Sequence, residues 1–468
     1  MALLKTDFSQ AQVTQLQARL TSNCRVVVPD DESYDTARRA WNLTVDQYPA
    51  MIVAARTAED VAEALRFAQS LGLGVAVTGT GHGVIRKADN SLLIDTAKMA
   101  GVRVDAAART ARVGAGTKWG AVLEAAQAVS LAPLLGSSPD VGAIGYTLGG
   151  GMGWLARKYG LSTDSVNYFD VVTAGGKQIR ASATENADLF WGLRGGGGNF
   201  GVVTGMEIRL YPVTTVYAGN LYYPINLAKE AYARFRDWVA SAPDELTSAI
   251  TIMNFPPLPE VPEFMRGQSF VLIRGCYCGP AAQGEALLRY WREWQTPLVD
   301  DFKAMPFSQA ATISNDPIDP IPALASGAWL KDLSDGTADT ILQYAVPRNG
   351  PPMIIFVEVR HAGGAIASVD PRSAAYGNRD ALYSLEAVSV VPTPQIQAGV
   401  SQYIAQFKQD LEPHLHGGVY MNFLEGEEAR QRTRQGFSAE AYARLCALKA
   451  KYDPQDVFCH SYDIPPVQ

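Results

Sequence analysis

Four glycine-dense stretches fall between Gly72 and Gly219: GLGVAVTGTGHG, VGAGTKWG, VGAIGYTLGGGMG and LRGGGGNFG. Clustered glycine marks backbone that adopts positive φ or runs against something with no side chain between. Tight turns account for any single cluster. Four in so short a span point instead to a cradle whose backbone N–H groups face an anion such as a phosphate. The one G-x-G-x-x-G match is Gly196, Gly198 and Gly201. A nicotinamide-type fingerprint follows a strand and opens a helix. Here the order is reversed, with ADLFWGLRG reading as a helix before it and VVTGMEIRLY as a strand after it. That excludes a nicotinamide Rossmann domain. No P-loop spacing and no G-x-S-x-G elbow occurs either.

The same N-terminal region alternates short strands and helices. Met51–Ala55, Val75–Thr78 and Leu92–Asp95 read as strands, and Val102–Asp105 with Ala111–Gly114 as a hairpin. Thr57 and Asp60 have the spacing of a capping box. Val61, Ala64, Leu65 and Ala68 then share one helical face, and Gly72 is placed to stop the helix. Lys118–Val129 reads as a second helix. After about residue 213 the composition shifts to proline and aromatics, with FPPLPEVPEF and SNDPIDPIP as irregular loops. QSFVLIRGCYCG and PPMIIFVEVRHAGG are long alternating runs that fit a broad, largely antiparallel sheet with one covered face. AYARFRDWVA and GEALLRYWREW are its covering helices. The expected fold is α+β in two domains, 1–213 and 214–419, with 420–468 as a C-terminal segment.

Composition narrows the function classes. The net charge is -7, with no long basic run, which argues against nucleic acid and anionic membrane as partners. No stretch of about 20 apolar residues is present, and the N-terminus lacks the pattern of a secretory signal. Five scattered cysteines make a disulfide framework improbable and a cytoplasmic location the expectation.

With five histidines, each can be weighed individually. His82, between Gly81 and Gly83, is either an exposed loop residue or a ligand facing a cofactor held by that loop. His414 and His416 share a face if extended, but no further metal ligand is spaced nearby, so no metal site is expected. Cys276 and Cys278 read as packing residues. His361 and His460 could be core or site. Glu358 shares a strand face with Ile354 and Phe356. It is either salt-bridged to an arginine or a base whose pKa is raised by desolvation.

Taken together, PAMIVAARTAEDVAEALRFA, VAVTGTGHG, PDVGAIGYTLGGGMGWLARKYGLSTD and LFWGLRGGGGNFGVVT resemble the FAD-binding domain of the vanillyl-alcohol-oxidase (PCMH-type) superfamily, in particular berberine-bridge-enzyme-like oxidases. YARLCALKAKYDPQDVFCHSYDIPP resembles the closing segment that returns to the flavin domain. The resemblance implies an FAD domain of PCMH type, followed by a substrate domain over the isoalloxazine ring. It implies that FAD contacts Thr78, Gly79, Thr80, Gly81 and Gly83, then Ser138, Val141, Gly142, Gly145 and Tyr146. Gly150, Gly151, Gly153, Gly201, Val203 and Tyr462 complete the implied set. It also implies an 8α bond from His82 to the flavin. Many members add a cysteinyl bond at a position held here by Ser138, so a single link is expected. Tyr146 stands where the family has a histidine. The singly linked pattern and the CHSYDI ending are similar to 6-hydroxy-D-nicotine oxidase and the enterocin-type polyketide oxygenases.

The expectation is an FAD-dependent oxidase that takes a hydride from an alcohol, amine or activated C–H and reduces dioxygen to hydrogen peroxide. Glu358 is its expected base, with Tyr462 and His460 as hydrogen-bonding partners and Tyr420 and Asn422 as weaker candidates. A small molecule and dioxygen are the partners, and a homodimer is admitted. An oxygenase or dehydrogenase of the same fold, or a non-catalytic flavin-binding protein, are the alternatives.

Overall fold

A computed structural model describes residues 9–348 and 350–467. The first eight residues of the expected N-terminal domain lie outside the described residues. Strands β1 (Arg25–Val27), β2 (Met51–Ala54), β3 (Val75–Thr78) and β4 (Leu92–Asp95) form a sheet of order β1-β2-β4-β3, in which β4 runs parallel to both β2 and β3. A second sheet, β5-β6-β9-β7-β8, is antiparallel. Its strands are β5 (Val102–Asp105), β6 (Thr110–Gly114), β7 (Val166–Val172), β8 (Gln178–Ser182) and β9 (Val202–Arg209).

Local chemistry explains the elements of this half. Thr57 Oγ1 accepts from Asp60 N at 3.2 Å, and the Asp60 carboxylate accepts back from Thr57 N at 3.0 Å. This reciprocal cap starts the helix Ala58–Ser70, whose Val61, Ala64, Leu65 and Ala68 are fully buried. Gly72 ends it at φ +66°, a conformation costly for any residue with a Cβ. The hairpin and the helix Trp119–Gln127 are where the patterning places them. The helix Ala187–Leu193 precedes the glycine run and β9 follows it, the reverse of the nicotinamide-type order.

The third sheet begins at Thr215. Strands β10 (Thr215–Pro224), β11 (Leu246–Asn254), β12 (Ser269–Tyr277), β13 (Val299–Asp300), β14 (Lys303–Pro306), β15 (Ala323–Leu330), β16 (Phe356–His361) and β17 (Tyr383–Val390) make one antiparallel sheet of order β13-β10-β12-β11-β16-β17-β15, with β14 also on β10. One face is covered by the helices Ala228–Val239, Ala281–Arg292, Asp335–Ala345 and Pro394–Leu411, over a core that includes Ile250, Ile273, Val357, Val359 and Leu385. The other face looks toward the glycine-rich half. Strand alternation therefore decides which side chains reach the site. Phe356, Glu358 and Arg360 point one way, and Val357 and Val359 the other. Ile354 corrects the expectation that it shares the Glu358 face: it precedes β16 and lies in the helix-covered core. The helix Ala439–Tyr452 packs back on the second sheet's core through Leu445, Cys446 and Leu448.

Candidate active site

Between the glycine-rich half and the open face of the large sheet lies a cavity of about 480 Å³, within the range of small-molecule and cofactor sites. One wall is glycine backbone from the loops after β3 and around Gly142, and from the run before β9. A Cβ built on Gly145 or Gly198 would meet no atom within 4 Å. Those positions therefore open onto space that a ligand can fill. Others are glycine because the protein itself is close: at Gly149 a Cβ would fall 1.9 Å from Asn422 Oδ1. Gly150, Gly151 and Gly153 are of this second kind. A Cβ on Gly150 meets Tyr376, one on Gly151 meets Tyr146, and one on Gly153 meets the Leu135 carbonyl. Of these three, none lines the cavity.

Thr78, Gly79, Thr80, Gly81, His82 and Gly83 all line the cavity, as do Ser138, Val141, Gly142, Gly145, Tyr146, Gly201, Val203 and Tyr462. Thr80 Oγ1 accepts from Gly142 N at 3.2 Å and ties the first two loops together. His82 is not an exposed loop side chain. Its ring stacks on Trp41 with centroids 4.3 Å apart, and its Nε2 lies 3.0 Å from Asp140 Oδ2. Burial holds its pKa below the ordinary value, against the pull of Asp140. Asp140 also pairs with Lys118; despite burial, Lys118 and His82 keep its carboxylate low. Ser138 Oγ accepts from Asp140 N at 3.2 Å. The Tyr146 carbonyl accepts from Asn422 Nδ2 at 2.9 Å, while its hydroxyl is buried without a hydrogen-bond partner among the described residues.

Of the two readings of Glu358, the structure shows the salt-bridged one, and its pKa is lowered rather than raised. Arg360 Nη2 reaches its Oε1 at 2.6 Å and Arg274 Nη1 its Oε2 at 3.0 Å, with Thr251 Oγ1 donating at 3.2 Å. Burial alone would raise the carboxyl, but Arg360 and Arg274 outweigh it and hold it below the carboxylate range. Tyr462 and His460 are not hydrogen-bonded to it. The Tyr462 hydroxyl donates to the Met421 carbonyl at 2.7 Å, its ring packed on Gly197, and the His460 Nε2 engages Ser91 Oγ at 2.6 Å. Tyr420 accepts from Met152 N at 2.9 Å and from Asn422 at 3.0 Å.

Two carboxyls were not anticipated. Glu386 lies directly across from Glu358 in the β16–β17 register and lines the cavity with no hydrogen bond or ion pair among the described residues. Burial pushes it up to about 8; Arg360 opposes, while Glu358, Asp316 and Glu425 add to the rise. Burial likewise lifts Glu425 to about 7. The alternation in SLEAVSV was the available signal for Glu386. Trp41 had none.

His361 and His414 lie away from the cavity lining. His361 is buried on the opposite sheet face, 3.2 Å from Arg157 Nη1, and burial with Arg157 lowers it to about 3. His414 ends a 3-10 turn and bonds Thr337, so the extended geometry that would put it on one face with His416 does not occur. No group of residues that could hold a metal occurs among the described residues, and no helix there is long and apolar enough to cross a membrane.

Residues 49–182 match the family model described as FAD binding domain, and 419–465 the one described as Berberine and berberine like. An uncharacterized FAD-linked oxidoreductase of Bacillus subtilis, YgaK, is 30% identical over 95% of this chain and 97% of its own. The (R)-6-hydroxynicotine oxidase of Paenarthrobacter nicotinovorans is 26% identical over 97% of this chain and 99% of its own. The solved structure of Physcomitrella patens BBE-like 1 superposes with a TM-score of 0.85 at 24% identity, covering 97% of this chain and 99% of that one. The residues present fit an FAD: open glycine backbone, a half-buried neutral imidazole and a roomy cavity running to the sheet. The chain belongs to the berberine-bridge-enzyme-like FAD-linked oxidoreductases of the PCMH-type flavoprotein superfamily.

Proposed function

We propose that this enzyme is an oxidase of small molecules, with FAD tethered through His82, Glu386 as the proton acceptor, and dioxygen as the electron acceptor. One observation carries the reading: a single cavity has glycine backbone and a neutral imidazole on one wall and an unpaired carboxyl on the facing sheet. When bound, FAD supplies the two-electron chemistry, taking a hydride from an alcohol, amine or activated carbon and returning the electrons to dioxygen as hydrogen peroxide.

The chain's own residues do the rest. The Asp140 carboxylate can only accept, so His82 carries its proton on Nε2 and its lone pair on Nδ1. A neutral, desolvated imidazole is the form that bonds to an electrophilic carbon. Trp41 fixes the ring plane. Ser138 offers a hydroxyl where a thiol would give a second bond, which supports one link. Arg360, within electrostatic reach of Tyr146, is a permanent positive charge near that residue. Glu386 takes the proton that leaves a substrate O–H or N–H as its neighbouring C–H is broken. Glu358, locked between two guanidiniums, positions Arg360 and Arg274. The name of the nicotinovorans relative supports the oxidase half of this reading. The five free cysteines favour a reducing cytoplasm.

The test uses acid-precipitated protein and turnover. Yellow colour stays in the wild-type pellet and leaves it in His82→Ala. Glu386→Gln slows flavin reduction about 10²–10⁴-fold with the flavin still bound. One peroxide forms per substrate oxidised. Colour that washes out of the wild type sinks the covalent link. A Glu386→Gln enzyme of normal rate sinks the base, and a low peroxide yield favours oxygen insertion instead.

A further inference from the structure

We infer that the substrate is an organic cation, an ammonium whose charge is met by Asp316, Glu386 and Glu425. The inference rests on reading the sheet-facing end of the cavity as the substrate end.

Six charged side chains line that end: Arg274 on β12, Asp316 in the 314–322 loop, Glu358 and Arg360 on β16, Glu386 on β17, and Glu425. Both guanidiniums are already committed. Arg360 places Nε and Nη2 on Glu358 Oε1 at 3.0 and 2.6 Å and Nη1 on the Met152 carbonyl at 3.2 Å. Arg274 places Nη1 on Glu358 Oε2 and Nε on Asn220 Oδ1, both at 3.0 Å. One carboxylate thus absorbs two cations.

The other three carboxyls form no ion pair among the described residues, though Arg360 lies within electrostatic reach of Glu386. Glu386 is partly buried, lines the cavity and takes no hydrogen bond or ion pair among the described residues. Among the described residues, Glu425 has the 3.3 Å contact from Asn42 Nδ2 and a backbone N–H from Ala325. Asp316 lines the same cavity from the loop before β15, and adds to the rise of Glu386. A buried carboxyl without a partner is costly, and like charges brought together make it more so. A protein that needed only packing here would have apolar residues. Instead the acceptors converge on open space flanked by Ile321, Phe356, Val388 and Phe423, which suit the carbon skeleton of an organic cation. An anion would be repelled by each of the three that ionises, and a neutral polyol brings no charge to stabilise the ionised form; only a cation does.

The experiment measures binding, not turnover. Benzylammonium, benzyl alcohol and benzoate, of similar size, are titrated at millimolar concentration into the purified holoenzyme by calorimetry and tryptophan fluorescence. Benzylammonium binds at least about tenfold more tightly than benzyl alcohol, and benzoate most weakly. Glu425→Gln and, separately, Asp316→Asn each cut that preference by about tenfold; Asp316 lies in a loop, so its variant keeps the fold. Equal or tighter binding of the alcohol or of benzoate overturns the inference, as does no detectable binding of benzylammonium. A preference unchanged in both variants overturns the assignment to these carboxyls. Failure of the oxidase reading looks different: the charge preference persists while no substrate reduces the flavin.

Discussion

Glu358 and Glu386 are the same residue type, one strand apart on the same face, and the sheet gives them opposite character. Glu358 is clasped by Arg274 and Arg360. Replacing it with glutamine leaves two buried guanidiniums facing each other without an anion, so Glu358→Gln loses about 3–5 kcal/mol in denaturant titration. Loss of activity in that variant therefore does not identify a base. For Glu386 the sign is reversed. Its pKa rises from 4.5 to about 8 on folding, through burial and the nearby Glu358, Asp316 and Glu425, against Arg360. Between those values the folded chain binds more protons than the unfolded one, so this group's contribution to stability falls as pH rises from 4.5 and is at its lowest above 8. Glu386→Gln raises Tm by a few degrees at pH 8 and changes it little near pH 4.5, checked by thermal melts across that range. A variant whose Tm difference is flat with pH refutes the buried, unpaired state.

At the scale of elements, the 314–322 loop is fastened to the segment that carries Trp41. Trp41 Nε1 donates to the Ile318 carbonyl at 2.8 Å, Leu43 N donates to the Ile321 carbonyl at 3.0 Å, and Asn42 Oδ1 accepts from Ala323 N at 3.2 Å. The same Trp41 ring stacks on His82. One side chain thus couples the His82 wall of the cavity to the loop that carries Asp316. Trp41→Phe keeps a ring on His82 and removes the donor, at a cost of about 1 kcal/mol. Amide exchange across 316–321 speeds up by about fivefold, while β3 and β4 stay protected. Unchanged exchange in the loop rules the latch out. None of this coupling was legible in the chain order. The caps, the hairpin and the helix face at Val61–Ala68 were, because they depend on neighbours within a few residues. Glu386 opposite Glu358, and Trp41 beside His82, depend on strand register and loop packing, which bring distant residues together without a local signature.

The whole molecule is closed by its C-terminus, and one buried lysine shows how. Glycine clustering announced a cradle; what completes its last wall is the helix Ala439–Tyr452 and the residues after it. Lys449 is fully buried, its Nζ 2.7 Å from Asp453 Oδ2, 2.8 Å from Asp456 Oδ1 and 3.1 Å from the carbonyl of Asn199 in the GGGGNF run. Asp453 in turn accepts from Val457 N and Phe458 N at 2.8 and 2.9 Å, turning the chain toward His460 and Tyr462 at the cavity. These contacts tie the returning segment to the glycine run and to the wall of the cavity. Lys449→Met leaves the Asp453 carboxylate buried without its cation and costs about 3–5 kcal/mol. Adding Asp453→Asn to it recovers part of that loss, since the stranded charge is gone. In melts followed by near-UV dichroism and by flavin fluorescence, both probes shift down together in Lys449→Met. A flavin signal that holds at the wild-type temperature while the dichroism falls would show that the C-terminal segment closes the fold without walling the site.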